Sequence, residues 1–523
     1  MNEEIELKLA VAPEHVERFR KHPLLRALKA RPQTIQHLVS TYYDTPRFEL
    51  RNKAVALRVR KIGHERIQTI KREAVNGKSK FARREWERRI EGDAPDLSAL
   101  EDRELKRLIA PHRERGDLRP VFVTEVTRQV WPLRVGASRI ECALDIGEIK
   151  SDGRSQPVCE VELELKSGAP AGLFEVARRL NKSVPLRLDP TSKAERGYHL
   201  AANATPGPKK AEPVHLESDM TVREAFAAIA RACITHILAN VGCAHDGKDP
   251  EGVHQLRVGI RRLRAAFAVF QDAISEGDRA ALGGELRWLQ RELGPAREWD
   301  VFLSSSLAAV YKRFGDSDGL EALRKIAEAV RRRAYQRCRA ALHNRRYTDL
   351  LLRLEAWLDG GLDETGTLPL NGNGRIHVDE AQRDLLEAPI LEFSAGILKN
   401  RHVKAAKLGD KLKKLDERQL HELRIRVKKL RYATEFFRDL YTDKSAKRYV
   451  SALKAIQEVL GDANDALVAN DLMSELDDLA GSDAESALRQ LQSWAAAAIK
   501  RDRKRLEHLW SDFGELKPFW KSG

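Results

Sequence analysis

The stretch Glu4-Ile-Glu-Leu-Lys8 places charged residues at positions 4, 6 and 8, with apolar residues between them. An alternation of period two is typical of a β-strand, so Glu4, Glu6 and Lys8 share one face. Taken alone, this face could equally be the solvated side of a half-buried strand. The pattern returns at residues 160–166, which read Glu-Val-Glu-Leu-Glu-Leu-Lys, and the recurrence favours a functional face.

A third stretch, residues 57–61, alternates arginine with apolar residues in the same way. Carboxylates on one strand and guanidinium groups on the equivalent face of another indicate a closed sheet with a charged interior. Such an interior suits a polyanion together with a metal ion, because carboxylates repel phosphate unless a divalent cation lies between them. Hard oxygen ligands select Mg²⁺ or Mn²⁺.

The chain before residue 204 has further strand signals, roughly at 34–44, 54–62, 65–73, 82–91, 119–133, 137–150 and 154–166. With the opening strand they make eight, which is enough to close a barrel. Helices are expected at 14–30, 97–110 and 170–182, and residues 185–198 are expected to form a charged loop. The fold class predicted for this part is therefore α+β, an eight-stranded antiparallel barrel with flanking helices.

Residues 204–213, rich in Pro and Lys, have the composition of a linker. Beyond them the apolar period changes to 3.6, and helices are expected to the end of the chain, interrupted by a glycine-rich loop at 360–376. These changes predict a sheet domain at 1–203, a linker at 204–214 and an all-α domain at 215–523. We expect the two domains to fold separately.

The helical part contains two copies of one unit. Residues 253–264 (Val-His-Gln-Leu-Arg-Val-Gly-Ile-Arg-Arg-Leu-Arg) match residues 420–431 (Leu-His-Glu-Leu-Arg-Ile-Arg-Val-Lys-Lys-Leu-Arg), with an offset of 421 − 254 = 167. Gly294 and Gly461, each ending a second shared motif, give the same offset, 461 − 294 = 167. Two motifs at one offset predict a duplicated helical bundle with repeats of about 215–359 and 377–523.

Each repeat carries a basic stripe along one helix face, because its residues are spaced by 3, 4 and 3 positions. The stripes are His254, Arg257, Arg261 and Arg264 in the first copy, and His421, Arg424, Lys428 and Arg431 in the second. Like charges at this spacing repel, and an anion lying along both stripes would relieve the repulsion. A solvated face is the alternative, but it does not explain the shared histidine.

The composition restricts the class of partner. The net charge of +15 favours anionic partners. Aromatic residues make up 6% of the chain and do not interleave with the basic stripes, which argues against base stacking. Phosphate without bases therefore fits better than RNA or DNA as a specific ligand, while non-specific nucleic-acid binding stays open.

The cysteines and the apolar residues bear on the compartment. Five cysteines without metal-ligand spacing favour a reducing compartment. The acidic start and the lack of a long apolar run lead us to expect a cytoplasmic protein, without a membrane partner.

The order and spacing of the charged residues over about 1–200 resemble the CYTH domain, the family of triphosphate tunnel metalloenzymes. The resemblance implies that the eight strands form a tunnel. It assigns the metal, Mg²⁺ or Mn²⁺, to carboxylates of the strands: Glu4, Glu6, Asp145, Glu160 and Glu162. It assigns binding of the triphosphate, as catalytic residues, to cations: Lys8, Arg58, Arg60, Lys71, Arg128 and Lys193.

Residues 215–510 resemble the CHAD domain, a duplicated helical domain associated with polyphosphate binding, through the two basic stripes. The order CYTH then CHAD resembles bacterial inorganic triphosphatases. The resemblance therefore implies metal-dependent hydrolysis of inorganic triphosphate to diphosphate and phosphate, and a polyphosphate-binding domain that could place the protein at polyphosphate granules.

Several other functions stay open at this point. Other CYTH members hydrolyse thiamine triphosphate, act on RNA or nucleoside triphosphates, or make cyclic AMP. A non-catalytic polyphosphate scaffold is a further alternative, although a site that only binds would not need the carboxylates at positions 4 and 6.

Overall fold

The structure is a computed structural model, and it describes residues 3–27, 35–73, 82–98, 102–361, 380–441, 444–477 and 485–521. The chain divides into two compact units. The first, here called the sheet unit, comprises residues 1–206 and 343–368. The second, the helical unit, comprises residues 207–342 and 369–523.

Antiparallel strands make up the sheet of the first unit. They are β1 (Glu3–Val11), β2 (Ile35–Asp44), β3 (Val55–Ile62), β4 (Glu65–Glu73), β5 (Ala82–Arg89), β6 (Arg119–Val135), β7 (Ser138–Ser151), β8 (Arg154–Ser167) and β9 (Leu186–Leu188). Their order in the sheet is β5-β4-β3-β2-β6-β7-β8-β1-β9. The predicted strands are thus confirmed, and β9 is an addition within the expected loop at 185–198, because three residues are too few to show an alternation.

Strand β1 connects the two ends of this order. It pairs with β8 over Glu6–Ala10 and with β5 over Glu3–Ile5, and β9 pairs with its end at Leu9–Val11. The expected antiparallel sheet with flanking helices is confirmed. It differs from the expected eight-stranded barrel in having nine strands, and it is not closed along its full length, since the join between β1 and β5 has only three residue pairs.

The helices follow in chain order. They are α1 (Val16–Arg20), α2 (Pro23–Ala27), α3 (Glu49–Asn52), α4 (Arg103–Glu114), α5 (Ala171–Asn181), α6 (Lys193–Ala201), α7 (Val222–Asp246), α8 (Pro250–Val269), α9 (Glu276–Glu292), α10 (Gly294–Val301), α11 (Ala308–Phe314), α12 (Asp318–His343), α13 (Arg345–Ala356), α14 (Glu380–Glu387), α15 (Ile390–Gly409), α16 (Glu417–Phe437), α17 (Lys444–Asp477) and α18 (Glu485–Gly514).

The apolar faces of the strands pack outward beneath helices, which leaves the charged faces inside. Leu57 and Ile70 of β3 and β4, for example, form one buried cluster with Leu105 and Ile109 of α4. Helix α6 packs against β6 and β7. This approach requires Gly197, because a Cβ there would lie 2.1 Å from the ring of Phe122. The close contact places the start of α6 against the sheet.

The helical unit reflects the predicted duplication. Helix α8 begins at residue 250 and α16 at residue 417, so their starts differ by 417 − 250 = 167. Helices α8 and α16, which carry the two basic stripes, pack against each other. The apolar spacing predicts separate helices at 445–460 and 463–479, but α17 is one helix over Lys444–Asp477. The spacing also predicts a break between residues 400 and 403, but α15 runs through it.

Helix α13 belongs to the sheet unit, although the sequence places it in the helical domain. It packs against α5 and β9. Within the described residues it has no counterpart helix in the second copy, because 345 + 167 = 512 falls at the end of α18.

The predicted linker is held at its second half. The side-chain amide of Asn240 in α7 accepts a hydrogen bond from Lys209 N at 2.9 Å and donates one to Lys209 O at 2.9 Å. Asn240 is fully buried. Residue 209 is therefore fastened to the helical unit.

By length and composition alone, α7 could cross a membrane, since its most apolar 18-residue window has a mean hydropathy of 1.4. In the structure 67% of that window is buried among other residues, as in the core helix of a globular unit. It is the only such helix within the described residues.

Candidate active site and basic seam

A cavity of about 460 Å³ lies in the sheet unit and is lined by the charged strand faces. Eight cationic side chains line it: Lys8, Arg51, Arg58, Arg60, Lys71, Arg128, Lys166 and Lys193. Seven acidic side chains also line it: Glu6, Glu85, Glu87, Glu141, Glu162, Glu164 and Glu195. Because the two charges nearly balance, a polyanion with several negative charges would need further cations to be neutralised.

Three carboxylates, Asp145, Glu160 and Glu162, form what we call the carboxylate cluster. Asp145 of β7 lies directly opposite Glu160 of β8, and Glu162 is two residues further along the same face. One oxygen from each residue lies within 4.8 Å of the others. Glu162 lines the cavity, whereas Asp145 and Glu160 are buried outside its lining.

Two cations hold the carboxylate cluster together. The ammonium group of Lys193 lies 2.6 Å from Asp145 Oδ2 and 2.9 Å from Glu162 Oε1, and it also donates to Glu160. Arg128 donates from Nε and Nη2 to the two oxygens of Asp145, both at 2.7 Å, and from Nη2 to Glu162. Burial of these charges is tolerated because each one has paired partners.

The pKa values of the cluster follow from this pairing. Burial by itself raises the pKa of Glu162, but Lys193 and Arg128 outweigh burial and hold the pKa well below its usual range. The pKa of Asp145 is lowered by the same two cations against the effect of burial. Both carboxylates are therefore ionised at neutral pH.

A second group of cations, Arg58 and Arg60, projects from β3. Burial, together with repulsion from Arg58 and Arg128, lowers the pKa of Arg60 to about 10. Arg60 Nε donates to Ser40 Oγ at 3.1 Å, which orients the guanidinium group. Burial raises the pKa of the neighbouring Tyr42 hydroxyl, but Arg58 and Arg60 outweigh this effect and lower it overall.

The wall formed by β3, β4 and β5 pairs cations with acids from β5. Lys71 Nζ lies 3.1 Å from Glu85 Oε2, and Arg58 Nη2 lies 3.5 Å from Glu85 Oε1 and 3.7 Å from Glu87 Oε1. Thr69 donates to Glu87 Oε1 at 3.0 Å. These contacts hold the long side chains against the strands rather than across the cavity.

Near the start of β1, Glu6 pairs with Lys8, and Lys8 Nζ lies 3.6 Å from Glu162 Oε1. Glu6 is opposite Glu164 of β8, which in turn is opposite Glu141 of β7. Three carboxylates thus form a row across three strands. The backbone of Glu4 lies in β1, but its side chain is outside the described part of the structure.

The donors present fit a divalent cation. The acidic side chains that line the cavity offer only carboxylate oxygens, which are the ligands that Mg²⁺ and Mn²⁺ prefer. Among the predicted metal ligands, Glu6 and Glu162 line the cavity, whereas Asp145 and Glu160 lie outside the lining. Lys193 pairs with Asp145, Glu160 and Glu162 alike. The predicted set of ligands is therefore split between the cavity and the region behind it.

The helical unit contains a second cluster of cations where α8 and α16 meet. Arg257, Arg261, Arg424 and Lys428 form this cluster, which we call the basic seam. Burial, followed by repulsion from Arg424 and Arg261, lowers the pKa of Lys428 to about 7. Burial and Arg261 likewise lower the pKa of Arg257 to about 10. Arg261 of the first repeat thus faces both basic residues of the second.

Several guanidinium nitrogens in the seam are buried without a hydrogen-bond partner. They are the Nε atoms of Arg257, Arg261 and Arg424. Arg257 also donates from Nη1 to Gln290 O at 2.7 Å. A buried donor without an acceptor is costly, so the seam is suited to an anion that supplies several acceptors.

The predicted stripe residues do not all join the seam. His254 lies next to it, where burial and Arg297 lower its pKa to about 4, so its ring is neutral at pH 7. His421 and Arg264 are exposed. Arg431 donates to Gln457 and to Glu435, both at 2.6 Å, and is thereby partly neutralised.

Sequence reasoning missed several residues of both sites. Arg196, one turn after Lys193, binds Glu160. Tyr42 carries no charge and reads as a core residue. In the helical unit, Glu298 raises the pKa of Arg257 and Asp465 raises that of Arg424, although burial dominates both. These two acids share the offset, since 465 − 298 = 167, so the internal repeat could have revealed them.

Comparisons with known proteins agree with the two units. The family model of the CYTH domain matches residues 2–198, and that of the CHAD domain matches residues 228–474. The chain is 32% identical over 213 residues to an inorganic triphosphatase of Haemophilus influenzae. That match covers 39% of this chain and 56% of the relative, so it spans little more than half of the relative's length.

Two further relatives extend the comparison. An uncharacterized protein of Mycobacterium tuberculosis is 24% identical over 467 residues, which cover 83% of this chain and 81% of that protein. The crystal structure of the CHAD domain from the plant Ricinus communis matches with 32% identity and a TM-score of 0.51. The match covers 60% of this chain and 98% of that domain. The chain therefore belongs to the CYTH family through residues 2–198 and to the CHAD family through residues 228–474.

Proposed function

We propose that the sheet unit hydrolyses inorganic triphosphate to diphosphate and phosphate with the help of a divalent cation. The observation that carries the proposal is the group of closely placed cations, Arg58, Arg60 and Arg128, on the wall of a cavity that also carries carboxylates. The name of the Haemophilus influenzae relative supports this substrate.

In this mechanism the cations of the wall bind the phosphates and withdraw charge from the phosphoryl group being transferred. Ser40 orients Arg60, and Asp145 orients Arg128, so these donors are positioned before the substrate arrives. Glu6 and Glu162 would hold Mg²⁺ or Mn²⁺. When bound, such a cation neutralises phosphate charge and lowers the pKa of a bound water.

The aromatic residues of the wall favour a substrate without a base. Tyr42 and Tyr198 line the cavity. Tyr42 is stacked on Phe122 with 4.4 Å between ring centroids, and Tyr198 packs edge-on to the same ring at 5.1 Å. Tyr42 is only 4% exposed and Tyr198 only 3%, so both rings are poorly placed to stack on a nucleobase or a thiazolium ring.

Phosphate release tests this proposal. The full chain is incubated with triphosphate, ATP or thiamine triphosphate, each with Mg²⁺, with Mn²⁺ or with a chelator. We expect triphosphate to give the highest kcat/KM and the chelator to abolish release. Preference for ATP or thiamine triphosphate would contradict the proposed substrate. Phosphate release that is unaffected by the chelator would contradict the proposed dependence on a metal.

We infer that the helical unit binds inorganic polyphosphate in the basic seam. The buried Nε donors of Arg261 and Arg424, one from each repeat, support this inference, because a chain of phosphates supplies acceptors to both repeats at once. Affinity should rise with chain length, since a longer chain reaches more cations, and should fall with salt.

Titration calorimetry on the full chain, with a chelator present to prevent hydrolysis and the cavity saturated by triphosphate, tests polyphosphate binding. The double variant Arg261→Ala, Arg424→Ala should lower the affinity for long polyphosphate chains more than the affinity for short ones. Arg418→Ala, which removes an exposed cation from α16, serves as the matched control. Equal affinity for short and long chains, or tighter binding of duplex DNA, would overturn the inference.

A further inference from the structure

Helix α13 lies within the residues matched by the CHAD family but packs in the sheet unit. It packs against α5 and β9. Four of its leucines are at most 1% exposed: Leu350, Leu351, Leu352 and Leu354. Because α13 has no counterpart among the described helices of the second repeat and packs in the sheet unit, we expect its role to lie in the sheet unit.

Buried hydrogen bonds connect α13 to β9. Thr348, which is 1% exposed, donates from Oγ1 to Leu186 O at 2.8 Å. Asn181 at the end of α5 joins both elements, because its Nδ2 donates to Arg345 O at 3.1 Å and its Oδ1 accepts from Leu186 N at 3.2 Å. Both backbone groups of Leu186 are therefore held by buried side chains.

From Leu186 the chain leads directly to the cavity. Strand β9 pairs with the end of β1, and Asp189 N donates to Lys8 O at 3.0 Å. Ser192 then caps α6 by accepting from Glu195 N at 3.1 Å, so Lys193 is the first residue of that helix. Lys193, whose ammonium group binds the carboxylate cluster, is thus seven positions after the residue that Thr348 contacts (193 − 186 = 7).

We propose that Thr348 is a positioning residue for the active site: through Leu186 it fixes β9, and through β9 it sets the places of Lys8 and Lys193. A helix within the residues that match the CHAD family thereby supplies a structural element of the hydrolytic site. The link to activity rests on the proposed triphosphate hydrolysis, whereas the link to β9 can be tested without it.

Thr348→Val removes the donor and keeps the shape, and Thr348→Ser keeps the donor. Loss of one buried hydrogen bond should lower kcat/KM for triphosphate by about tenfold in Thr348→Val. Thr348→Ser keeps the hydroxyl and should have the kcat/KM of the wild type. The matched control is Thr434→Val, which removes an equally buried hydroxyl from the helical unit, where Thr434 donates to Leu430 O at 2.9 Å. This control should leave kcat/KM unchanged.

Hydrogen exchange of the backbone amides at 184–193 provides the readout that does not depend on activity. Thr348→Val should speed their exchange by about tenfold relative to wild type and to Thr434→Val. Asp349→Asn is a milder second variant for the case that Thr348→Val does not fold, because it weakens the 3.0 Å pair with Arg178 that also docks α13.

The outcomes separate the two proposals. Unchanged exchange at 184–193 in the folded variants overturns the role of Thr348, whatever the activity. Faster exchange with unchanged kcat/KM overturns the link to the active site. If the wild type releases no phosphate from triphosphate, the proposed function fails, and the exchange experiment still decides whether α13 holds β9.

Discussion

Lys193 illustrates how burial decides the role of a single residue. The family resemblance assigns it to triphosphate binding, and it does line the cavity. Its ammonium group is also the shared partner of Asp145, Glu160 and Glu162. Without a cation between them, three buried carboxylates would repel each other strongly. The fold therefore needs the charge of Lys193, just as the binding of an anionic substrate would.

At this scale, Glu6 is expected to be essential for turnover. Glu6→Gln removes a carboxylate that lines the cavity near Glu162 and should lower kcat for triphosphate by about 100-fold or more, as loss of a charge-stabilising group does elsewhere. Steady-state phosphate release measures this. Glu17→Gln, at an exposed helix position, is the control. Full activity of Glu6→Gln would show that Glu6 is not part of the active site.

The carboxylate cluster should make stability depend on acid pH. The pKa of folded Glu162 is lowered from its ordinary 4.5, so its contribution is complete above that value and is lost as the pH falls through the folded pKa. Glu162→Gln should lower the free energy of unfolding at pH 7 by about 1.5–3 kcal/mol, because it removes one ionised acceptor from Lys193 and Arg128, which both keep Asp145.

The same variant should also lose stability less steeply than wild type between pH 7 and pH 3. Urea unfolding at a series of pH values measures both effects. Glu175→Gln, at a half-exposed pair with Arg179, should behave like wild type. A wild-type pH dependence in Glu162→Gln would contradict the role of this carboxylate.

At the scale of elements, strand register builds the active site and helix packing builds the seam. The pairing of β1, β8 and β7 places Glu6, Glu164 and Glu141 in one row, and a shift by one residue would turn all of them outward. Packing of α8 on α16 brings Arg261 to Arg424 and Lys428. Neither arrangement is visible in any one element.

Lys428 should make anion binding depend on pH. Burial and its cationic neighbours Arg424, Arg261 and Arg431 lower its pKa to about 7 against the opposing effect of Asp465. A bound polyphosphate would raise this pKa, so binding above pH 7 should take up a proton, and affinity should fall as the pH rises from 7 to 9. Lys428→Arg stays charged and should remove this dependence.

Calorimetry in buffers of different ionisation enthalpy measures the proton uptake directly. The same titrations on Lys428→Arg serve as the comparison, since Arg keeps its proton at these pH values. Binding without proton uptake in the wild type at pH 8 would show that Lys428 does not face the anion.

At the scale of the whole molecule, the compact units do not coincide with the halves of the sequence. The division at residue 203 predicts a sheet domain that folds alone, yet the sheet unit also includes residues 343–368. The reason is that α13, whose leucines are buried, packs against α5 and β9.

A chain ending at Asn203 is therefore expected to be less stable than the sheet unit within the full chain. Loss of the α13 leucines should cost several kcal/mol, at about 1.5–3 kcal/mol for each buried side chain. Residues 1–203 joined by a flexible Gly/Ser linker to residues 343–358 should recover stability. Thermal unfolding and phosphate release compare the two, and equal stability would show that α13 is dispensable.

Local patterns in the sequence predict the strands, the change to helices, the duplication and many of the charged residues that the structure brings together. Alternation and helical spacing are local properties, and they survive in the fold because burial of the apolar partners enforces them. Among the predicted site residues, Arg58, Arg60 and Arg128 line one cavity. Arg261 of α8 and Arg424 of α16 also lie close together.

Which of these residues share a cavity depends on contacts that form only in the folded chain. Asp145 and Glu160 alternate as Glu6 does, yet Lys193 and Arg196 enclose them outside the lining. His421 aligns with His254, yet it is exposed. Helix α13 reads as part of the helical domain, yet it completes the sheet unit. In each case the deciding contacts join residues far apart in the chain, and a local pattern contains no information about them.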